Sequence, residues 1–156
     1  MRQNASVSTA RDSRGALGNA PRGVTDAGGH LRLTAQSLLK IGMMTRDGGV
    51  WRGQRIVSQT WVNTSLEPRN APIADHPTLR YGFLWWLEPV QNNLVRSYQA
   101  RGNGGQYIII VPEVKLVVSF TGQAYNDPRA QNPFRVVQDF LIPMARRTPF
   151  AVLEGR

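Results

Sequence analysis

The first 26 or so residues show no apolar period; Ser, Arg, Ala, Gly and Asn follow one another without pattern, so residues 1–25 read as a flexible arm. Order is expected to begin near Asp26-Ala27-Gly28-Gly29. After Thr34, a good N-cap, the apolar positions Leu38, Leu39, Ile41, Met43 and Met44 predict a helix of about three turns that ends at Asp47-Gly48-Gly49. Val50 to Val57 has turn residues at its middle and predicts a small hairpin, and Ser58 caps a second, shorter helix through Trp61 and Val62, stopped by Pro68. Tyr81 to Leu87 is too aromatic for a loop and too short for a helix, so it reads as one strand buried on at least one face. Three more strands are expected over Leu94–Arg101, Gln106–Val111 and Leu116–Thr121, the last two joined as a hairpin by Pro112-Glu113-Val114-Lys115. The unbroken run Ile108-Ile109-Ile110-Val111 implies burial on both faces and hence helices over the sheet. Asn132-Pro133 starts a final helix, with Phe134, Val136, Val137, Phe140 and Leu141 as its apolar stripe. The fold class that follows is α+β, an antiparallel meander flanked by helices, without internal repeats.

Composition narrows the chemistry. At 156 residues the chain is long enough to bury a core without staples. With no cysteine, disulfides, thiolate catalysis and cysteine zinc sites are all excluded. His30 and His76 stand alone and read as surface residues, so neither a metal nor a cofactor is expected. The excess of 19 basic over 10 acidic residues gives a formal charge of +9. Yet the basic residues are scattered arginines, with Lys40 and Lys115 the only lysines, so no specific nucleic-acid binding is expected. There is neither a secretory apolar run near Met1 nor a stretch of about eighteen apolar residues, so no membrane span is expected. As written the chain reads as cytoplasmic, with periplasm or secretion left to a longer parent.

Four groups of residues, in this order, resemble segments of a known family. Ala27-Gly28-Gly29 with Leu33-Thr34-Ala35 and Leu38-Leu39-Lys40-Ile41-Gly42 is similar to one family segment, with His30 as an insertion and Ser37 where Asp is usual. Gly48-Gly49-Val50-Trp51 with Arg55-Ile56-Val57-Ser58 and Trp61 is similar to the next, and Tyr81-Gly82-Phe83-Leu84-Trp85-Trp86 to an aromatic strand. Arg101-Gly102-Asn103-Gly104-Gly105-Gln106-Tyr107, running to Val111-Pro112 and then Leu116-Val117-Val118 and Phe120-Thr121-Gly122, resembles the paired terminal strands. Together they resemble the C-terminal part of the β-lactamase-related serine hydrolases, the family of class C β-lactamases, penicillin-binding-protein-like esterases and 6-aminohexanoate-dimer hydrolases, and the resemblance implies a partial β-lactamase/transpeptidase-like domain over residues 26–147, followed by a tail at 148–156.

In that family the chemistry rests on Ser-x-x-Lys, Tyr-x-Asn and a Lys-Thr-Gly or looser variant beside the pocket. None of Tyr81, Tyr98, Tyr107 and Tyr125 is followed two residues later by Asn, so the second motif is absent. Ser37-Leu38-Leu39-Lys40 is a literal Ser-x-x-Lys that could set Oγ and Nζ on one helix face. A chance match among eight serines and two lysines arises about one time in ten, and Ser37 also suits bonding to the helix start after Thr34. The third motif corresponds to Arg101-Gly102-Asn103-Gly104-Gly105-Gln106, where glycines would let an acyl substrate approach the backbone while Arg101 or Asn103 replaces the usual Lys or His. The alternative is a glycine-rich connection into the next strand. Trp51, Trp61, Trp85 and Trp86 are expected chiefly as packing.

Two functions follow from different classes. One is the C-terminal portion of a serine hydrolase that resolves ester, amide or lactam bonds through an acyl-serine, inactive alone because the nucleophile lies elsewhere. The other is a non-catalytic binding or interaction module of the same fold, with exposed sheet edges covered by self-association or complementation.

Overall fold

The computed structural model describes residues 32–90 and 95–147. The expected arm, the start of order at Asp26–Gly29, His30, Leu94 and the 148–156 tail lie outside the described residues. The chain divides into two units, Met1–Thr34 and Ala35–Arg156, and every element below belongs to the second.

Helix α1 spans Ala35–Arg46, as the apolar spacing predicts. It stops where Gly48 and Gly49 turn left-handed (φ 65° and 90°), and the Gly49 N–H reaches back to the Met44 carbonyl at 2.8 Å, a Schellman closure. The predicted hairpin forms as β1 (Val50–Trp51) and β2 (Gln54–Arg55), joined through Arg52 and Gly53, both at positive φ as a type I′ turn requires. Helix α2 spans Gln59–Ser65, and the Ser58 hydroxyl accepts from the Trp61 N–H at 3.1 Å. Replacing that cap, Ser58→Ala, should cost about 1 kcal/mol of unfolding free energy in a urea titration, since one helix-start donor loses its partner; an unchanged midpoint would show that water serves as well.

One expectation fails here. Tyr81 to Leu87 is not a single strand but a tight hairpin of β3 (Arg80–Tyr81) and β4 (Trp86–Leu87), with Tyr81 paired to Trp86 and Arg80 to Leu87. The reversal is held by the Gly82 N–H donating to the Trp85 carbonyl at 2.8 Å and the Phe83 N–H donating to Ser65 of α2 at 2.9 Å, and Leu84 sits at φ 64°. Phe83 and Leu84 consequently face solvent, 44% and 62% exposed.

The hairpin opens a five-stranded antiparallel sheet in the order β3-β4-β5-β6-β7, with β5 at Tyr98–Arg101, β6 at Tyr107–Val111 and β7 at Leu116–Phe120. All five residues of β6 are buried, as the run of isoleucines predicts. Side chains alternate across a strand, so the two faces separate cleanly. Ile108 and Val117 meet α1, where a Cβ on Gly42 would come 2.7 Å and 2.6 Å from their side chains. α1 runs along β7, with Arg46 donating to the Lys115 carbonyl and the Ser119 hydroxyl donating to the Ala35 carbonyl. Tyr107, Ile109 and Val111 point the other way, into a cluster with Val90, Val95, Val137 and Ile142.

That second layer comes from the last helical segment, which is not the uniform helix expected. α3 (Asn132–Val136) passes through a π-helical turn, Val137–Leu141, into α4 (Ile142–Arg147). Pro143 has no N–H for the Asp139 carbonyl, and the wider turn absorbs the mismatch. The extra residue also brings Val137 and Ile142, both fully buried, onto one face. Val136 and Phe140, expected in the stripe, are turned outward at 38% and 63% exposure. Among the described residues no helix is long and apolar enough to cross a membrane.

Candidate functional site

On the sheet face opposite α1, Arg101 at the end of β5 pairs with Tyr107 at the start of β6, and Gly102–Gln106 turns between them. The turn is closed by the Gly102 N–H donating to the Gln106 carbonyl at 2.8 Å and the Gly105 N–H to the Gly102 carbonyl at 3.1 Å, with Gly105 at φ 86°. It is the connection into β6 and not a strand. Beside it lies an open groove of about 500 Å³. Arg101, Gly102 and Asn103 line it on one side; Trp86, Leu79 and Tyr107 supply the apolar floor; and Asn126, Asp127, Pro128, Ala130 and Gln131 form the far lip.

The other three predicted site residues do not line the groove. Gly104 and Gly105 are buried inside the turn. Gln106 braces it: its side-chain oxygen accepts from the Gly104 N–H at 3.0 Å, and its amide donates to the Gly122 carbonyl at 2.7 Å and the Tyr125 hydroxyl at 3.2 Å. The far lip is tied back in turn, since the Asn103 amide donates to the Asn126 side-chain oxygen at 3.0 Å and the Asn126 N–H returns to Asn103 at 3.4 Å. Asn126 holds φ 56°, a conformation Asn tolerates better than most side chains.

Arg101 is not a free cation. Its Nε donates to Gln99 at 2.9 Å, its Nη2 pairs with Glu88, and its guanidinium lies over the rings of Trp86 and Phe134 at 5.5 Å and 5.7 Å. The Tyr107 hydroxyl bonds Gln131 at 3.2 Å. Burial pushes the Tyr107 phenol up, Arg101 pulls it down and Glu88 pushes it up again. At the exposed lip, hydrogen bonds from the Arg129 guanidinium and from the Arg129 backbone N–H hold the Asp127 carboxyl below the usual carboxylate range.

Ser37 and Lys40 lie on α1, across the sheet from the groove, with Lys40 exposed. Among the described residues that line the groove there is no Ser, Lys or His. Among the described residues no cluster of three or more carboxylates and histidines could hold a metal, and His76 is exposed.

The far lip is not among the residues expected from the sequence, although Asn126-Asp127-Pro128 is a recognisable turn signal. Of the tryptophans expected chiefly as packing, Trp86 floors the groove, and Trp61 is 53% exposed, stacked on Phe83 at 5.6 Å.

No family model matches the chain, nor does any curated protein. Among solved structures it is similar to a 6-aminohexanoate-dimer hydrolase from Bacillus anthracis, with 20% identity and a TM-score of 0.57 over 80% of this chain and 33% of that one. The chain thus spans about a third of the length of that structure. At this identity the likeness speaks for architecture alone: the chain has an α+β fold, an antiparallel sheet flanked by helices, that matches part of a β-lactamase-like hydrolase fold.

Proposed function

We propose that this chain is the substrate-side portion of a serine hydrolase of the β-lactamase-related family, acting on ester, amide or lactam bonds through an acyl-serine supplied by another part of the parent protein. The observation that supports this reading is the position of the Arg101–Gln106 turn. It borders a groove, in a fold similar to that of a hydrolase of which the chain covers 33%. A small acyl compound would sit on Trp86 and Tyr107 with its polar end toward Gly102 and Asn103, and a partner segment carrying Ser-x-x-Lys and Tyr-x-Asn would deliver the attack.

By itself the chain should be inactive, because loss of nucleophile and base together forfeits about 10⁶ in kcat. Purified protein is expected to turn over p-nitrophenyl acetate and nitrocefin at the buffer rate, and Ser37→Ala should change nothing. Turnover abolished by Ser37→Ala would make Ser37 the nucleophile and overturn this assignment.

A second reading, a non-catalytic interaction module, draws on the exposed stack of Trp61 and Phe83 with Leu84 beside it in the chain. Self-association that disappears in Trp61→Ser, in a protein whose groove takes no ester, would favour it.

A further inference from the structure

The groove meets its ligand with an arginine whose charge is already answered. Ser97, Gln99 and Arg101 alternate along one face at and before β5, and they form a closed hydrogen-bond circuit with Glu88. The Ser97 hydroxyl donates to the Glu88 backbone carbonyl; the Gln99 amide donates to Ser97 Oγ at 2.7 Å; Arg101 Nε donates to the Gln99 side-chain oxygen at 2.9 Å; and Arg101 Nη2 returns to the Glu88 carboxylate. Ser97 and Gln99 are fully buried, so the Gln99 carboxamide is locked with its oxygen toward Arg101. The Arg101 and Glu88 side chains are only 20% and 26% exposed, which removes much of the water that would screen their pairing.

Among the described residues that line the groove there is no second cation. Its polar lining is carboxamide, from Asn103, Asn126 and Gln131, and its other charge is the Asp127 carboxylate, itself paired with Arg129. Resting on the acyl-binding role proposed above, we propose that Glu88 is a specificity-determining residue: by neutralising Arg101 it makes the groove take uncharged acyl compounds, esters and amides, in preference to the corresponding carboxylates. A carboxylate entering here loses hydration and finds no unpaired positive charge in return, whereas an ester gives up little water and finds carboxamide donors and an aromatic floor. In keeping with this, burial pushes the Tyr107 phenol up most, while Arg101 pulls it down and Glu88 pushes it up, so the two charges act there in opposite senses.

The test compares methyl benzoate with benzoate, titrated into the purified chain and followed by the ¹H–¹⁵N signals of the Trp86 indole and the Arg101 Nε. The ester should bind about tenfold more tightly. Glu88→Gln, which keeps the shape and removes the charge, should shift the ester-to-acid ratio about tenfold toward benzoate; Glu88→Asp should retain the ester preference, and the double variant Glu88→Gln/Arg101→Gln should restore it. A groove that binds but prefers benzoate in the unaltered protein, or whose ratio ignores Glu88→Gln, overturns the inference and leaves the groove as an acyl site. If neither compound binds, the acyl-groove reading itself falls and this inference falls with it. A preference for benzoate in the unaltered protein overturns the inference even where a variant fails to fold.

Discussion

Ile109→Ala is expected to lower the unfolding free energy by about 2–5 kcal/mol, enough to unfold a marginal domain outright. Ile109 is fully buried at the middle of β6, among the described residues the one strand whose every residue is buried. It pairs with Gln99 on one side and Val118 on the other, and its side chain enters the cluster built on Val137 and Ile142. Truncation removes three carbons from a region covered by strands and helix alike, so the space left behind has little freedom to collapse. The loss should reach the groove, because Ile109 stands beside Gln99, and Gln99 orients Arg101. Denaturant titration is the measurement, with Ile56→Ala as comparison: Ile56 is 56% exposed, and its truncation should stay within about 0.5 kcal/mol. Equal midpoints for the two variants would mean that the sheet is not the seat of stability.

The same burial explains which elements could be read in advance. β6 announces itself as four consecutive β-branched residues after Tyr107, a pattern that few environments other than a sheet covered on both faces accommodate. α1 and α2 are bounded by chemistry local to the chain, glycines at one end and Ser58 at the start of the other, so their limits follow from neighbours in sequence. The elements that escaped are those decided by distant atoms. Whether Phe140 faces in or out depends on a π-helical turn set beside Pro143, which no 3.6-residue period encodes. The groove depends on pairs such as Asn103 with Asn126 and Arg101 with Glu88, each separated by more than ten positions and drawn together only by the meander. Arg101 was legible as the end of a strand before a glycine-rich turn, but its neutral pairing was not. A cation in a sequence carries no mark of the carboxylate that will meet it.

Gly82→Ala should cost about 3 kcal/mol and remove the groove floor, although it adds a single methyl group. The backbone of Gly82 is not left-handed, so the constraint is steric. A Cβ there would fall against the Ser65 carbonyl oxygen and 2.9 Å from that of Glu67, both backbone atoms at the end of α2 that cannot rotate aside. To admit it, the β3–β4 hairpin must move off α2, giving up the Phe83 N–H bond to Ser65 and straining the Gly82 N–H bond to Trp85. The hairpin is what carries Trp86 to the groove, packed on Tyr81 at a ring separation of 4.6 Å. Thermal melts should show the loss of stability, and the nuclear Overhauser contacts between the Tyr81 and Trp86 rings should fade with it. Gly53→Ala separates the two costs a glycine can carry: it sits at φ 76° with nothing near its would-be Cβ, so it should lose only the roughly 1–2 kcal/mol of a left-handed alanine and leave the Tyr81–Trp86 contacts intact. If Gly82→Ala proves no worse than Gly53→Ala and keeps those contacts, the close approach of this hairpin to α2 is not what places Trp86 in the groove.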